Sequence, residues 1–315
     1  MNNYQKGIKN IVHKCLEVKK GERAVVICDK PKRNIGADLF DELVKLGADA
    51  TMCEIISPKQ HGQEPPAYVA DLLKSADVFL IPVSKSMTHT QARRKAVLKG
   101  ARGATLPDVT EDMIGRTMGA DYTEIKKRTE KLAKLLKGVK KVHISSKAGT
   151  DVEIITETRD FLQDTGILTT PGSFSNLPAG EIYVAPLETK SSGIAVFDAS
   201  FSGIGMLPQP IIIEIDKGKA VSIKGDRGKL RRMLDAPGPK GRNLAELGIG
   251  TNHKAKITGN VLEDEKVMGT IHLAFGDNST FGGRVKVDVH LDGMILKPTV
   301  EADGRVIMKD GRFVI

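Results

Sequence analysis

Two rhythms of apolar residues divide the chain. Up to about residue 140, short apolar runs alternate with stretches of helical period: Arg23-Ala-Val-Val-Ile-Cys-Asp29, a helical pattern over 34–46 stopped by Gly47, then Ala50-Thr-Met-Cys-Glu-Ile-Ile56. After a polar, proline-containing loop the alternation resumes, with a helix predicted over 67–75, a strand over 78–83, a helix over 90–99 and a strand from Gly103. Strands separated by helices of this length predict right-handed βαβ units on a parallel sheet, a Rossmann-like α/β layer over 1–140.

Beyond residue 140 the period shortens to two. Val142-His-Ile-Ser, Asp151-Val-Glu-Ile-Ile-Thr, Ile211-Ile-Ile-Glu-Ile-Asp, Lys219-Ala-Val-Ser-Ile and the closing segment from Arg305 alternate between turns rich in Gly, Asp and Lys. This predicts a mixed, mainly antiparallel α+β domain over 141–315, interrupted by helices near 228–234 and near Asn243–Leu247.

With 315 residues the chain has room for two domains, and no apolar run approaches the roughly 20 residues needed to cross a bilayer. The start, Met1-Asn-Asn-Tyr-Gln-Lys-Gly, lacks the apolar core of a secretion signal, so the cytoplasm is the expected compartment. Cys15, Cys28 and Cys53 are scattered, with no Cys-x-x-Cys spacing, and read as small apolar residues rather than disulfides or structural zinc ligands.

The net charge of +9 resides in the first part: residues 1–140 hold 26 Lys and Arg against 17 Asp and Glu, and residues 141–315 hold 22 of each. These lysines fall on helix faces such as Thr123–Lys137, where Ile125, Leu132, Leu135 and Leu136 form an apolar stripe and Glu130 precedes Lys134 by one turn. With no Trp and few aromatics to stack bases, neither a nucleic-acid nor a membrane partner is expected. A dinucleotide site is not expected either, because Asp29-Lys-Pro-Lys-Arg-Asn-Ile-Gly36 carries a single glycine where a phosphate-binding turn needs three. His89, in Ser84–Thr90 after a parallel strand, lies where such sheets accept ligands and is the candidate substrate contact.

The candidate chemistry lies in the second part. His290-Leu-Asp292 follows an extended pattern, and residues two apart in a strand share a face, so an imidazole nitrogen and a carboxylate oxygen would meet one ion. His272 lies in the apolar run Gly269–Gly276, where a buried imidazole needs partners for both nitrogens.

Asn176-Leu-Pro-Ala-Gly-Glu-Ile-Tyr-Val-Ala-Pro186, Glu246-Leu-Gly-Ile-Gly-Thr-Asn252, Glu263-Asp-Glu-Lys-Val-Met-Gly-Thr-Ile-His-Leu-Ala-Phe-Gly276 and His290-Leu-Asp292 resemble, in order and spacing, the motifs of the aminopeptidase T family over residues 170–295. The resemblance implies a homodimeric metallo-aminopeptidase that takes peptides and holds two divalent ions, Zn, Co or Mn, on Glu181, Glu246, His272, His290 and Asp292. Paired ions about 3.5–4 Å apart would activate a water and polarise a peptide carbonyl. Glu265 is the candidate general base. The family places a tyrosine seven residues after the motif histidine; Ser279 stands there in this chain, which makes Tyr183, two residues after Glu181, the candidate substitute.

A branch sharing this fold, the dihydroxypyridine ring-cleaving dioxygenases, is similar at His272, His290 and Asp292. It implies one Fe(II) on a two-histidine, one-carboxylate set and a small-molecule substrate. A third class is a scaffold that binds polyanions and holds no metal. The intact Glu181 and Glu246 motifs favour the hydrolase expectation.

Overall fold

The computed structural model describes residues 2–314 and divides into two compact units, one running to Lys126 with Thr165–Ala179 added, the other comprising Lys127–Asp164 and the chain from Gly180 onward. A single cut at residue 140 does not capture this arrangement, because the chain leaves the second unit after Asp164 and returns at Gly180.

The first unit is the α/β layer. Its sheet is parallel throughout, in the order Asp49–Ile55, Arg23–Asp29, Val78–Ile81, Arg102–Thr105, Phe174–Asn176. The excursion through 165–179 supplies the last strand. Helices Arg33–Leu46, Ala67–Ser75 and Gln91–Leu98 connect the earlier strands. The first ends where Gly47 turns left-handed with φ 84°, a conformation open to glycine, and the third begins at Thr90, whose side chain accepts from the amide of Arg93.

The second unit contains two antiparallel sheets. One runs in the order Lys219–Lys224, Ile211–Asp216, Ser192–Phe197, Asp151–Ile155, Lys141–Ser145, Thr299–Ala302, Arg305–Lys309, Arg312–Phe313. The closing segment forms a hairpin, Arg305–Lys309 pairing antiparallel with Arg312–Phe313. The other sheet runs Gly205–Met206, Ser200–Phe201, His290–Leu296, Thr270–Gly276, Leu244–Gly250, Glu181–Val184, Leu162–Asp164. Apolar residues from both sheets, among them Val142, Ile144, Ile213, Ile182, Leu247, Leu273 and Ile295, meet in one core. Each such strand therefore has one face in that core and one face free for other work.

One predicted element changes type. The helix expected at Asn243–Leu247 is the strand Leu244–Gly250, paired to Glu181–Val184 on one edge and to Thr270–Gly276 on the other. Leu-Ala-Glu-Leu favours helix locally, but two ladders and burial of all seven residues outweigh that preference. The extended pattern expected at His290-Leu-Asp292 is a strand, which begins at His290 itself and runs to Leu296.

Candidate metal centre

The seven-stranded sheet collects its polar residues on the face turned away from the core. Directly opposed residues in an antiparallel pair share a face, and the register sets Asp164 against Glu181, Tyr183 against Gly248, Gly248 against His272, Glu246 against Ala274 and Ala274 against Asp292. His290 and Asp292, two apart on one strand, join the same face. The register shifts between Leu244 and Glu246, and the extra residue Ala245 lets Leu244 enter the core although it lies only two positions from Glu246.

Glycines make room for the donors. A Cβ at Gly248 would stand 2.1 Å from Cε1 and Nε2 of His272, so the imidazole occupies the space a side chain there would fill. At Gly250 a Cβ would lie 2.1 Å from the carbonyl oxygen of Val267. That close approach lets the segment Lys266–Val267 cross the strand, held by the Asn252 amide donating to the Lys266 carbonyl at 2.8 Å.

Glu246 lies between the two imidazoles. Its Oε1 is 3.3 Å from Nε2 of His272 and its Oε2 is 3.3 Å from Nε2 of His290, which in turn lies 3.3 Å from Oδ1 of Asp292. Nε2 of His272 is 3.5 Å from Oε2 of Glu181. Nδ1 of His290 donates to the carbonyl of Asp277 at 2.7 Å, which leaves Nε2 as the nitrogen facing the carboxylates. Asp292 is held by Ser202: its amide donates to the Ser202 hydroxyl at 3.0 Å, and the Ser202 amide donates to the Asp292 carbonyl at 2.8 Å.

On the other side of His272 lies Lys266, with its side chain 2% exposed. Its ammonium donates to Oε1 of Glu181 at 2.5 Å, lies 2.7 Å from Oε1 of Glu265 and is 3.6 Å from Oδ2 of Asp164.

These side chains fall into two groups that could each grip an ion: Glu181, Glu265 and His272, and Glu246, His290 and Asp292, each with its donor atoms within 4.8 Å of one another. Two observations test whether a cation fits. Ligands about 2.0–2.2 Å from one ion stand roughly 3.0–3.4 Å apart, close to the spacing between the imidazole nitrogens and their carboxylates. Oε2 of Glu181, which faces Nε2 of His272, is also buried with no hydrogen-bond partner, and buried polar atoms are rarely left so. The donor set of carboxylate oxygens and imidazole nitrogens suits a borderline divalent ion.

The electrostatics point the same way. Burial raises the Glu265 carboxyl to about 8 and raises Glu181. Burial also opposes the charge of Glu246, yet hydrogen bonds from His272 and His290 hold it at about 2. The same burial works against charge on His272, but Glu246 and Glu181 lift it to about 9, and Asp292 with Glu246 takes His290 well above the ordinary range. The carboxylates thus favour positive charge at both imidazoles, and a divalent ion would supply such charge at those same nitrogens.

The family model of 2,5-dihydroxypyridine 5,6-dioxygenase (NicX) matches residues 8–315. The chain belongs to this dioxygenase family. A relative described as 2,5-dihydroxypyridine 5,6-dioxygenase, from Pseudomonas putida KT2440, is 23% identical over 263 residues, 77% of this chain and 72% of its own length. Among solved structures, the 2,5-dihydroxypyridine dioxygenase of Pseudomonas putida KT2440 superposes with a TM-score of 0.84 at 18% identity, covering 100% of this chain and 98% of that one. AmpT from Thermus thermophilus superposes with a TM-score of 0.76, also at 18% identity, covering 99% of each. At that identity the likeness to AmpT is one of fold alone, so the hydrolase expectation rests on architecture, whereas the sequence match favours the dioxygenase branch.

In this NicX-family chain the five expected ligands Glu181, Glu246, His272, His290 and Asp292 converge on one sheet face, and Glu265 joins them with its side chain 14% exposed. Tyr183 shares the face and packs edge-on against Phe281, with ring centroids 5.7 Å apart. His89 is exposed on a turn of the first unit and is not among the clustered residues. Ser279, at the position of the aminopeptidase tyrosine, turns its amide and hydroxyl onto Asp277 about 3 Å away. Phe281, two residues on, packs edge-on against His290 at 5.8 Å instead.

Sequence reasoning assigned no role to Lys266, Asp164, Ser202 or Phe281. Lys266 carried a signal, a lone lysine ending an acidic run inside an otherwise apolar segment. Asp164 and Ser202 carried none. Among the described residues, no helix is long and apolar enough to cross a membrane.

Proposed function

We propose that this protein is a mononuclear Fe(II) dioxygenase that opens a dihydroxylated pyridine-type ring with molecular oxygen. The family match across residues 8–315 carries this reading. His290 and Asp292, with His272 joined to them through Glu246, support it as a two-histidine, one-carboxylate set that would hold an iron and leave positions for other ligands. Bound Fe(II) would supply the redox chemistry that brings dioxygen and an electron-rich ring together.

The remaining roles belong to the chain. His290 is aimed by its Nδ1–H bond to Asp277, and Asp292 by Ser202, so both present a fixed donor atom. Glu246, between the two imidazoles, orients them and compensates positive charge near them. Tyr183, Phe281 and His290 form a contiguous aromatic flank against which a flat heteroaromatic ring would pack by its edge or face. Glu265 stands beside Glu181 and His272, where it would take part in handling substrate protons.

The test is anaerobic reconstitution with Fe(II), followed by 2,5-dihydroxypyridine and oxygen. The expected result is equimolar loss of oxygen and of the ring absorbance, with no release of amino acids from short peptides. Peptide hydrolysis without oxygen uptake would overturn the reading in favour of an aminopeptidase.

A further inference from the structure

The sheet face offers two sets of donors, yet a charged side chain already occupies one of them. In the group Glu181, Glu265 and His272, the Lys266 ammonium lies 2.5 Å from one Glu181 oxygen and 2.7 Å from a Glu265 oxygen, with Asp164 behind it at 3.6 Å. In the group Glu246, His290 and Asp292, no lysine or arginine makes an ion pair among the described residues; the carboxylates there face imidazoles.

We infer that Lys266 is a built-in counter-cation that takes the place of a second metal ion and restricts the centre to one. An ion gripped by Glu181 and Glu265 would need the oxygens that Lys266 now holds, and would meet a buried positive charge at roughly bond distance from its own ligands. The ammonium cannot easily swing away. Lys266 is 2% exposed, its carbonyl accepts from Asn252, its amide donates to the Glu263 carbonyl at 2.9 Å, and the backbone beside it passes so close to Gly250 that any side chain there would collide with it. Glu181 is thereby divided: Oε1 belongs to Lys266, while Oε2, with no hydrogen-bond partner, faces His272 and remains available to a single ion on the other side.

This inference rests on the proposed location of the metal centre, but it concerns ion number rather than the reaction. Protein stripped with chelator and dialysed against excess Mn2+ is analysed for bound metal, without substrate. Wild type and Lys266→Arg are expected to saturate at one ion per chain with the hyperfine-split electron paramagnetic resonance signal of an isolated Mn2+. Lys266→Met is expected to bind two, with an exchange-coupled signal. Two ions in wild type, or one in a folded Lys266→Met, would overturn the inference. Should Lys266→Met not fold alone, Mn2+ is expected to rescue folding by restoring the missing charge, and failure of rescue counts against the proposal equally. A one-ion protein that cleaved peptides would refute the dioxygenase reading and leave this inference standing.

Discussion

The imidazole of His272 lies across Gly248, whose added Cβ would stand 2.1 Å from two of the ring atoms. The glycine and the histidine are paired across neighbouring strands, so any side chain at 248 competes with the imidazole for one space. Gly248→Ala is expected to displace His272, weakening metal affinity about 10–100-fold, with a packing penalty of about 1–3 kcal/mol. Calorimetric titration with Fe(II) or Mn2+ and a thermal melt would check both, and unchanged affinity would mean that His272 holds no ion.

The centre holds more carboxylates than cations, so metal should stabilise the fold. At an ion concentration 100 times Kd the gain is about 2.7 kcal/mol, reversed by chelator. Melting curves with and without Fe(II) under anaerobic conditions test this; coincident curves would argue against a built metal site.

Phe281 touches both Tyr183 and His290 but donates no ligand atom. If it flanks a ring substrate, Phe281→Ala should raise KM about tenfold, roughly the 1.4 kcal/mol of a lost aromatic contact, while bound iron is unchanged. A fall in iron content with KM unaltered would reassign the residue to supporting His290.

In the first unit, the buried guanidinium of Arg102 donates to both carboxylate oxygens of Glu22, at 2.8 and 2.7 Å, and to the carbonyl of Leu16 at 2.9 Å. The hydrogen bond from Arg102 holds Glu22 below its ordinary value of 4.5. Because the folded value is the lower one, the stabilisation is present above about pH 4.5 and is lost as pH falls through the folded value. Arg102→Met should cost about 2–4 kcal/mol, less than a fully buried pair because Glu22 is 23% exposed. Glu22→Gln should abolish this part of the acid dependence, measured by denaturant titration between pH 3 and pH 7.

The α/β alternation of the first unit was legible because each element carries its own signal. The strand at Arg23–Asp29 is a continuous apolar run, the helix Arg33–Leu46 an amphipathic one with a glycine stop, and both are local patterns. The excursion through 165–179 was not, because its three-residue strand is specified by the neighbour it joins.

The sequence by itself determined which donors exist and which two must stand together. His290 and Asp292 share a face because strand side chains alternate with period two, whatever the rest of the chain does. Only the tertiary structure decided that Glu246 sits on a strand rather than a helix, since pairing along both edges overrides the preference of Leu-Ala-Glu-Leu. It alone brought Lys266 to Glu181 across 85 positions of chain. Such a contact leaves no periodic trace, because it is made by register across strands and by the close passage of one backbone over a glycine.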